Sequence, residues 1–247
     1  MSGICGWIGF AGAPELLQQM AAPLARFDHG TLQARSGQRS GVAVAALDGS
    51  ADVYQRDGLL VALWGQPRLT DPALAAQAAA QGLAATVATL WGQGAQRTCA
   101  QLHGCFTLAI LDERSGEAVL ATDRMGIQPL HWQLAGETLV FGSSADVLLR
   151  HPLTPGVLDH QGLYNYVYFH MVPSPGTVYQ GQQRLLPGRY LHYRQGRRRA
   201  HLLAHAVRGK RQALVRRTEG RIPVRAAPQR AGSGGRAQGG RLPVRRH

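Results

Sequence analysis

A chain of 247 residues with 45% hydrophobic and 17% charged side chains has room for one large globular core or two small ones. Its net charge of +13 is unevenly spread, since residues 1–193 sum to −2 and residues 194–247 to +15. Cys5, Cys99 and Cys105 show no CxxC spacing, which argues against a disulfide framework or a cysteine zinc site, and no apolar run nears the roughly 18 residues of a membrane span. A reducing, cytoplasmic setting is expected.

Residues 4–10 read as a buried strand punctuated by glycines, and 14–26 as an amphipathic helix with Leu16, Leu17, Met20 and Leu24 at helical spacing. DHGTLQARSGQRS, residues 28–40, is polar and reads as a loop. GVAVAAL (41–47), ADVYQ (51–55) and GLLVALWG (58–65) read as short strands, bounded by turn signals at Asp48-Gly49 and Asp57-Gly58. Asp71 is placed to N-cap an Ala-rich helix reaching Gln81, and a second helix is expected from about residue 83 to 91. CFTLAILD (105–112), GEAVLATD (116–123), LHWQL (130–134) and TLVFGS (138–143) return to strand character, with a compact turn at 113–116. Strands interrupted by a helical block predict an α+β layered fold.

The opening MSGICGWIGF holds two overlapping copies of one pattern: Ser2-Gly3-Ile4-Cys5-Gly6 and Cys5-Gly6-Trp7-Ile8-Gly9. A hydroxyl or thiol at a chain's first position can use its own α-amino group as general base, because that amine titrates near pH 7.7–8. Which residue leads the chain therefore matters as much as its type.

The most specific run is LHGCFTLAILDERSGEAVLATDRMGIQPLHW, residues 102–132, which resembles the N-terminal glutaminase domain of asparagine synthetases. In that family a Gly-x-Phe-Ala-x-Ala strand, a turn, a second strand and an Arg-Asp-x-x-Gly-x-x-Pro-Leu segment follow in this order. Here the last is Asp123 to Leu130, with Thr122 in place of the usual Arg. FGSSADVLLRHP (141–152) and PSPGTVYQGQQRLLPGRYLHY (173–193) resemble the family's next and closing elements, so the likeness spans residue 2 to about 195. It implies an Ntn-hydrolase-type αββα sandwich of two antiparallel sheets over residues 2–193, a glutamine substrate and, for the parent enzyme, ATP-dependent synthesis of asparagine or another amide. A homodimer is a further expectation.

Family members begin Met-Cys-Gly-Ile-x-Gly, which aligns Ser2 with the nucleophilic cysteine. Cys5 is then a small apolar core residue, the alternative being a propeptide of residues 1–4 whose removal exposes it. Other departures accompany Ser2. The strand that supplies an Arg for the glutamine carboxylate reads VAVAALD without one. The family's Asn-Gly-Glu aligns with Trp64-Gly65-Gln66, retaining only the Gly65 N–H as an oxyanion donor, and Gly-Ser-Asp aligns with Gly82-Leu83-Ala84, without the acid that holds the substrate ammonium. The reading is a degenerate glutaminase domain. One alternative is a non-catalytic scaffold like that of β-lactam synthetases and lasso-peptide cyclases.

Asparagine synthetases continue into an ATP-pyrophosphatase domain with a Ser-Gly-Gly-x-Asp-Ser loop, and ATP and magnesium belong there. AGSGGRAQGG (231–240) lacks the Asp-Ser, so that domain is expected to be missing and the chain alone to be inactive as a synthetase. From Arg194 onward Arg, Gly, Ala and Pro dominate, which fits a frameshifted or disordered tail without a packed core. The rival reading is a cationic arm for nucleic acid. The ten histidines show no HExxH pair, so no metal site is expected, and Tyr164, Tyr166, Tyr168 and Phe169 are expected to be packing residues rather than a stacking platform.

Overall fold

The structure, a computed structural model, describes residues 2–24, 31–47, 49–194 and 197–202, the last six by backbone alone. In chain order the elements begin β1 (Gly3–Ile8), α1 (Pro14–Ala21), β2 (Thr31–Ser36), β3 (Ser40–Ala46), β4 (Ala51–Arg56) and β5 (Leu59–Leu69). Then come α2 (Pro72–Gln81), α3 (Leu83–Trp91), α4 (Ala95–Ala100), β6 (Leu102–Asp112), β7 (Glu117–Thr122), β8 (His131–Ala135) and β9 (Thr138–Gly142). The chain continues with α5 (Ala145–Leu148), α6 (His160–Phe169), β10 (Gln182–Arg184), β11 (Arg189–Arg194) and β12 (Arg197–Leu202).

The strands form two six-stranded antiparallel sheets, one ordered β10-β8-β9-β1-β3-β2 and the other β12-β11-β7-β6-β5-β4. Period-two alternation sends one set of side chains from each sheet into a shared middle layer, where Ile4, Ile8, Val42, Trp64, Leu111, Leu120 and Phe141 meet. The opposite faces are covered by helices. Cys5, Trp7 and Ala43 of the first sheet pack under α1 and α5, and Val61, Leu63, Phe106 and Ile110 of the second under the α2–α4 block. The result is the expected four-layer αββα sandwich.

Most strands fall where alternation places them, and Asp71 caps α2 by accepting from the Ala73 N–H at 2.8 Å. Differences have physical causes. The stretch expected as a loop at 28–40 contains β2, which among the described residues is an edge strand paired to β3 alone, and none of whose side chains is buried, which erases any apolar alternation. Helix α1 ends at Ala21, and residues 25–30, into which the longer helix was expected to run, lie outside the described residues. Pairing continues past the compositional break at Arg194, because β12 runs antiparallel to β11 from Arg197 to Leu202. The tail readings for residues 203–247, including AGSGGRAQGG and the nucleic-acid arm, fall outside the described residues.

The aromatic residues of α6 are a clearer correction. They were expected to pack, yet Gly162 is the one buried residue of that helix. A Cβ at Gly162 would lie 2.5 Å from the Thr177 carbonyl oxygen, so the helix rests its backbone on the 177–178 segment. Tyr164, Tyr166, Tyr168 and Phe169 are left in solvent.

Candidate functional site

Ser2 leads directly into β1 and is half-buried. Alternation along the strand assigns it to the face of Ile4 and Ile8, which looks into the middle layer, whereas Cys5 and Trp7 point to the outer layer under α1. The backbone behind Ser2 is held by the end of β9. Ser143 Oγ accepts from the Ile4 N–H at 2.8 Å, and the Ser143 N–H donates to the Ile4 carbonyl at 2.8 Å. Gly3 is required there, since a Cβ would stand 2.8 Å from Ser143 Oγ and from a Leu24 methyl.

A chain of contacts continues from Ser143 through buried His131 to the exposed Arg184. Its carbonyl lies 3.2 Å from His131 Nδ1, and Arg184 Nε donates to His131 Nε2 at 3.4 Å. Burial, assisted by the Arg184 charge, lowers the His131 pKa to about 4. The neutral ring therefore carries its proton on Nδ1, donated to the Ser143 carbonyl. Sequence reasoning passed over both residues, although Ser143 lies in the quoted FGSSADV segment.

Facing β1 across the middle layer is β5. Trp64 packs in that layer with Ile4. Gly65 has φ +110°, and a Cβ there would come within 2.4 Å of the Cys105 carbonyl, so the close β5–β6 approach demands glycine. Its N–H, expected as an oxyanion donor, instead donates to the Ser50 carbonyl at 2.8 Å. Gln66 pairs with Cys105 and is exposed. Strand β3 is buried along its whole length, with Gly3 opposite Ala45, and has no Arg.

Gly82 and Ala84 belong to a different layer. Gly82, at φ +95°, joins α2 to α3, and Ala84 is fully buried in the outer core on the face of β5 opposite Trp64. The Ala84 N–H donates to Asp52 Oδ2 at 2.8 Å, so a carboxylate from β4 caps α3. The contacts thus bring Trp64 to β1 and pair Ala84 with Asp52.

Cys5 is fully buried, and desolvation pushes its thiol up to about 12. Paired to Ala43 on one side and Gly142 on the other, it is the middle of a central strand. With residues 1–4 in place the thiol stays protonated at neutral pH. Cys105 is half-buried beside a cavity of about 270 Å³ lined also by Cys99, His103, Asp123 and Arg124. A larger polar cleft of about 960 Å³ opens at the far end of β1, by Ile8 and Gly9. There the Glu113 carboxylate is taken up by the Gln38 and Arg39 N–H groups and by Ser40 Oγ.

The family described as glutamine amidotransferase domain matches residues 75–203. The chain belongs to this family. Among curated proteins it is 30% identical over 91 residues to "Asparagine synthetase [glutamine-hydrolyzing] 3" of Bacillus subtilis, covering 36% of this chain and 15% of that one. Among solved structures it resembles the "allosteric regulatory enzyme of purine biosynthesis", with a TM-score of 0.52 and 15% identity over 82% of this chain and 49% of the other. The glutamine phosphoribosylpyrophosphate amidotransferase from B. subtilis aligns over the same share at 0.49. The chain spans half or less of each relative's length, and the structural likeness is one of fold.

The segment from Thr122 onward is tied into the fold by its own hydrogen bonds. Asp123 accepts from the Met125 N–H at 2.9 Å, and its carbonyl accepts from Gly126 and Gly188. Thr122 Oγ1 donates to the Leu186 carbonyl at 3.3 Å. The motif clamps the loop after β7 to the segment entering β11. Among the described residues no helix is long and apolar enough to cross a membrane.

Proposed function

We propose that this amidotransferase domain is the nitrogen-donor half of an asparagine-synthetase-like, amide-forming system, and that its own glutaminase chemistry is lost. In the working reaction a terminal nucleophile attacks the side-chain amide carbon of glutamine. The α-amine takes the nucleophile's proton and returns it to the leaving nitrogen, ammonia departs from a tetrahedral oxyanion, and water hydrolyses the acyl-enzyme to glutamate. Ser2 offers a hydroxyl in place of the thiol, on the face that looks into the middle layer.

The observation that carries the reading is the oxyanion position. Trp64 stands where the family's donor Asn would be, and the Gly65 N–H is already bonded to Ser50. Removing one oxyanion donor lowers a rate by about 10²–10³. The absence of an Arg on β3 and of an acid at Ala84 removes the anchors that would orient glutamine for attack. What persists is the sandwich, suited to act as a scaffold beside an ATP-using ligase.

Ammonia release from glutamine by the full chain tests this. No release above a Ser2→Ala control is expected, and Ser2→Cys should not restore it. Release that depends on Ser2, or strong activity of Ser2→Cys, would overturn the proposal by showing that the glutamine-holding groups still function.

A further inference from the structure

Asp123 follows strand β7 and is only 2% exposed, yet among the described residues no Lys, Arg or His stands within ion-pairing distance of its carboxylate. Backbone groups hold it instead. Oδ1 accepts from the Met125 N–H at 2.9 Å and lies 3.5 Å from the Ile127 N, whereas Oδ2 has one long contact, 3.5 Å from the Gln128 N. A buried carboxylate oxygen so poorly met is costly unless a cation reaches it. The cavity of about 270 Å³ beside Cys105 gives that access: Asp123 forms part of its wall, and Cys99, Leu102, Phe106, Met125 and Ile127 make most of the rest apolar. His103 and Arg124 also line it, and both are exposed. Burial and, after it, the Asp123 charge raise the Cys105 thiol, so the field of the carboxylate reaches the cavity wall. The wall is preformed, since a Cβ on Gly126 would stand 2.7 Å from Pro187 Cγ and the Gly188 N–H donates to the Asp123 carbonyl at 2.8 Å.

We propose that this cavity binds a small organic cation, a primary amine on an apolar body, with its ammonium group on Asp123. An ammonium supplies the donors that Oδ2 lacks. The apolar body would lie on Phe106 and cover Met125 and Ile127, which are otherwise 77% and 63% exposed. The cavity falls just below the range of about 300–1,000 Å³ that holds drug-sized ligands, so its occupant is smaller than those. An anion is disfavoured because His103 and Arg124 are hydrated, whereas Asp123 acts from a buried position where charge interactions are stronger. The net charge of +13 repels cations in general, so binding of one has to come from the cavity itself. Cys105 pairs across the sheet with Gln66, which places the cavity beside the expected oxyanion position at Gly65. An amine held there would give an amide-forming partner its nitrogen without glutamine; that use rests on the preceding reading, whereas the binding does not.

Calorimetric titration of the full chain at neutral pH should give benzylamine a Kd on the order of 0.1–1 mM, with benzyl alcohol and phenylacetate about tenfold weaker or more. At saturation benzylamine should slow iodoacetamide alkylation of Cys105 severalfold, because the thiol lines the same cavity. Asp123→Asn keeps an oxygen for the Met125 N–H and should weaken benzylamine about tenfold while leaving benzyl alcohol unchanged. Should that variant fail to fold, the comparison of the three ligands on the unaltered chain decides. No heat of binding, equal affinity for the alcohol or the anion, Cys105 labelling indifferent to benzylamine, or full affinity in folded Asp123→Asn would overturn the proposal. Ammonia release by the Ser2 variants is a separate readout, so either reading can fail alone.

Discussion

Cys5, Cys99 and Cys105 share one chemistry and differ by environment. Burial pushes the thiols of Cys5 and Cys99 up to about 12, whereas Cys105, also raised by burial and by the nearby Asp123, remains partly open to solvent. Alkylation of the native protein near pH 8 should therefore modify Cys105 alone, and all three should react in denaturant. Peptide mass mapping reads this directly, and prompt native labelling of Cys5 would contradict its place in the outer core. The two overlapping patterns at the start of the chain could not be ranked by composition. They differ in strand parity, because Ser2 shares the face of Ile4 while Cys5 takes the other.

Among the elements, α3 shows how a local motif can be completed from elsewhere. Gly82 occupies its N-cap without a side chain, and Asp52, in β4, supplies the missing acceptor to the Ala84 N–H. Asp52→Ala should cost about 1–2 kcal/mol and Asp52→Asn less, since the amide keeps an acceptor oxygen. Urea titration of the three proteins checks this, and equal stability of all three would show that the cap contributes nothing. Asp71 was legible as a cap because its partner lies two residues away. Asp52 was not, because its partner lies 32 residues away on another element. Strand β2 escaped notice for a related reason: an edge strand held through its backbone needs no apolar alternation.

At the scale of the whole molecule, acid should loosen the sandwich before most carboxylates titrate. Burial lowers the pKa of both His131 and His151 to about 4, the latter packed against Trp7 and Phe10. Below about pH 6.5 the unfolded chain takes up protons that the folded rings refuse. The contribution of each ring is thus complete above pH 6.5 and is lost as pH falls toward 4. The urea midpoint should drop between pH 7 and pH 5, and His131→Gln or His151→Gln should flatten that drop; an unchanged slope in both variants would place the loss elsewhere. The sequence by itself determined the layered class, most strands, the α2 cap and the glutaminase-domain resemblance, because alternation, capping and motif order are written in neighbouring residues. Only the tertiary structure decided that Gly65 spends its N–H on Ser50, that Asp52 caps α3 and that α6 stands on a single glycine with its aromatics outward. Each of those facts depends on which distant backbone lies alongside, and no local pattern encodes it.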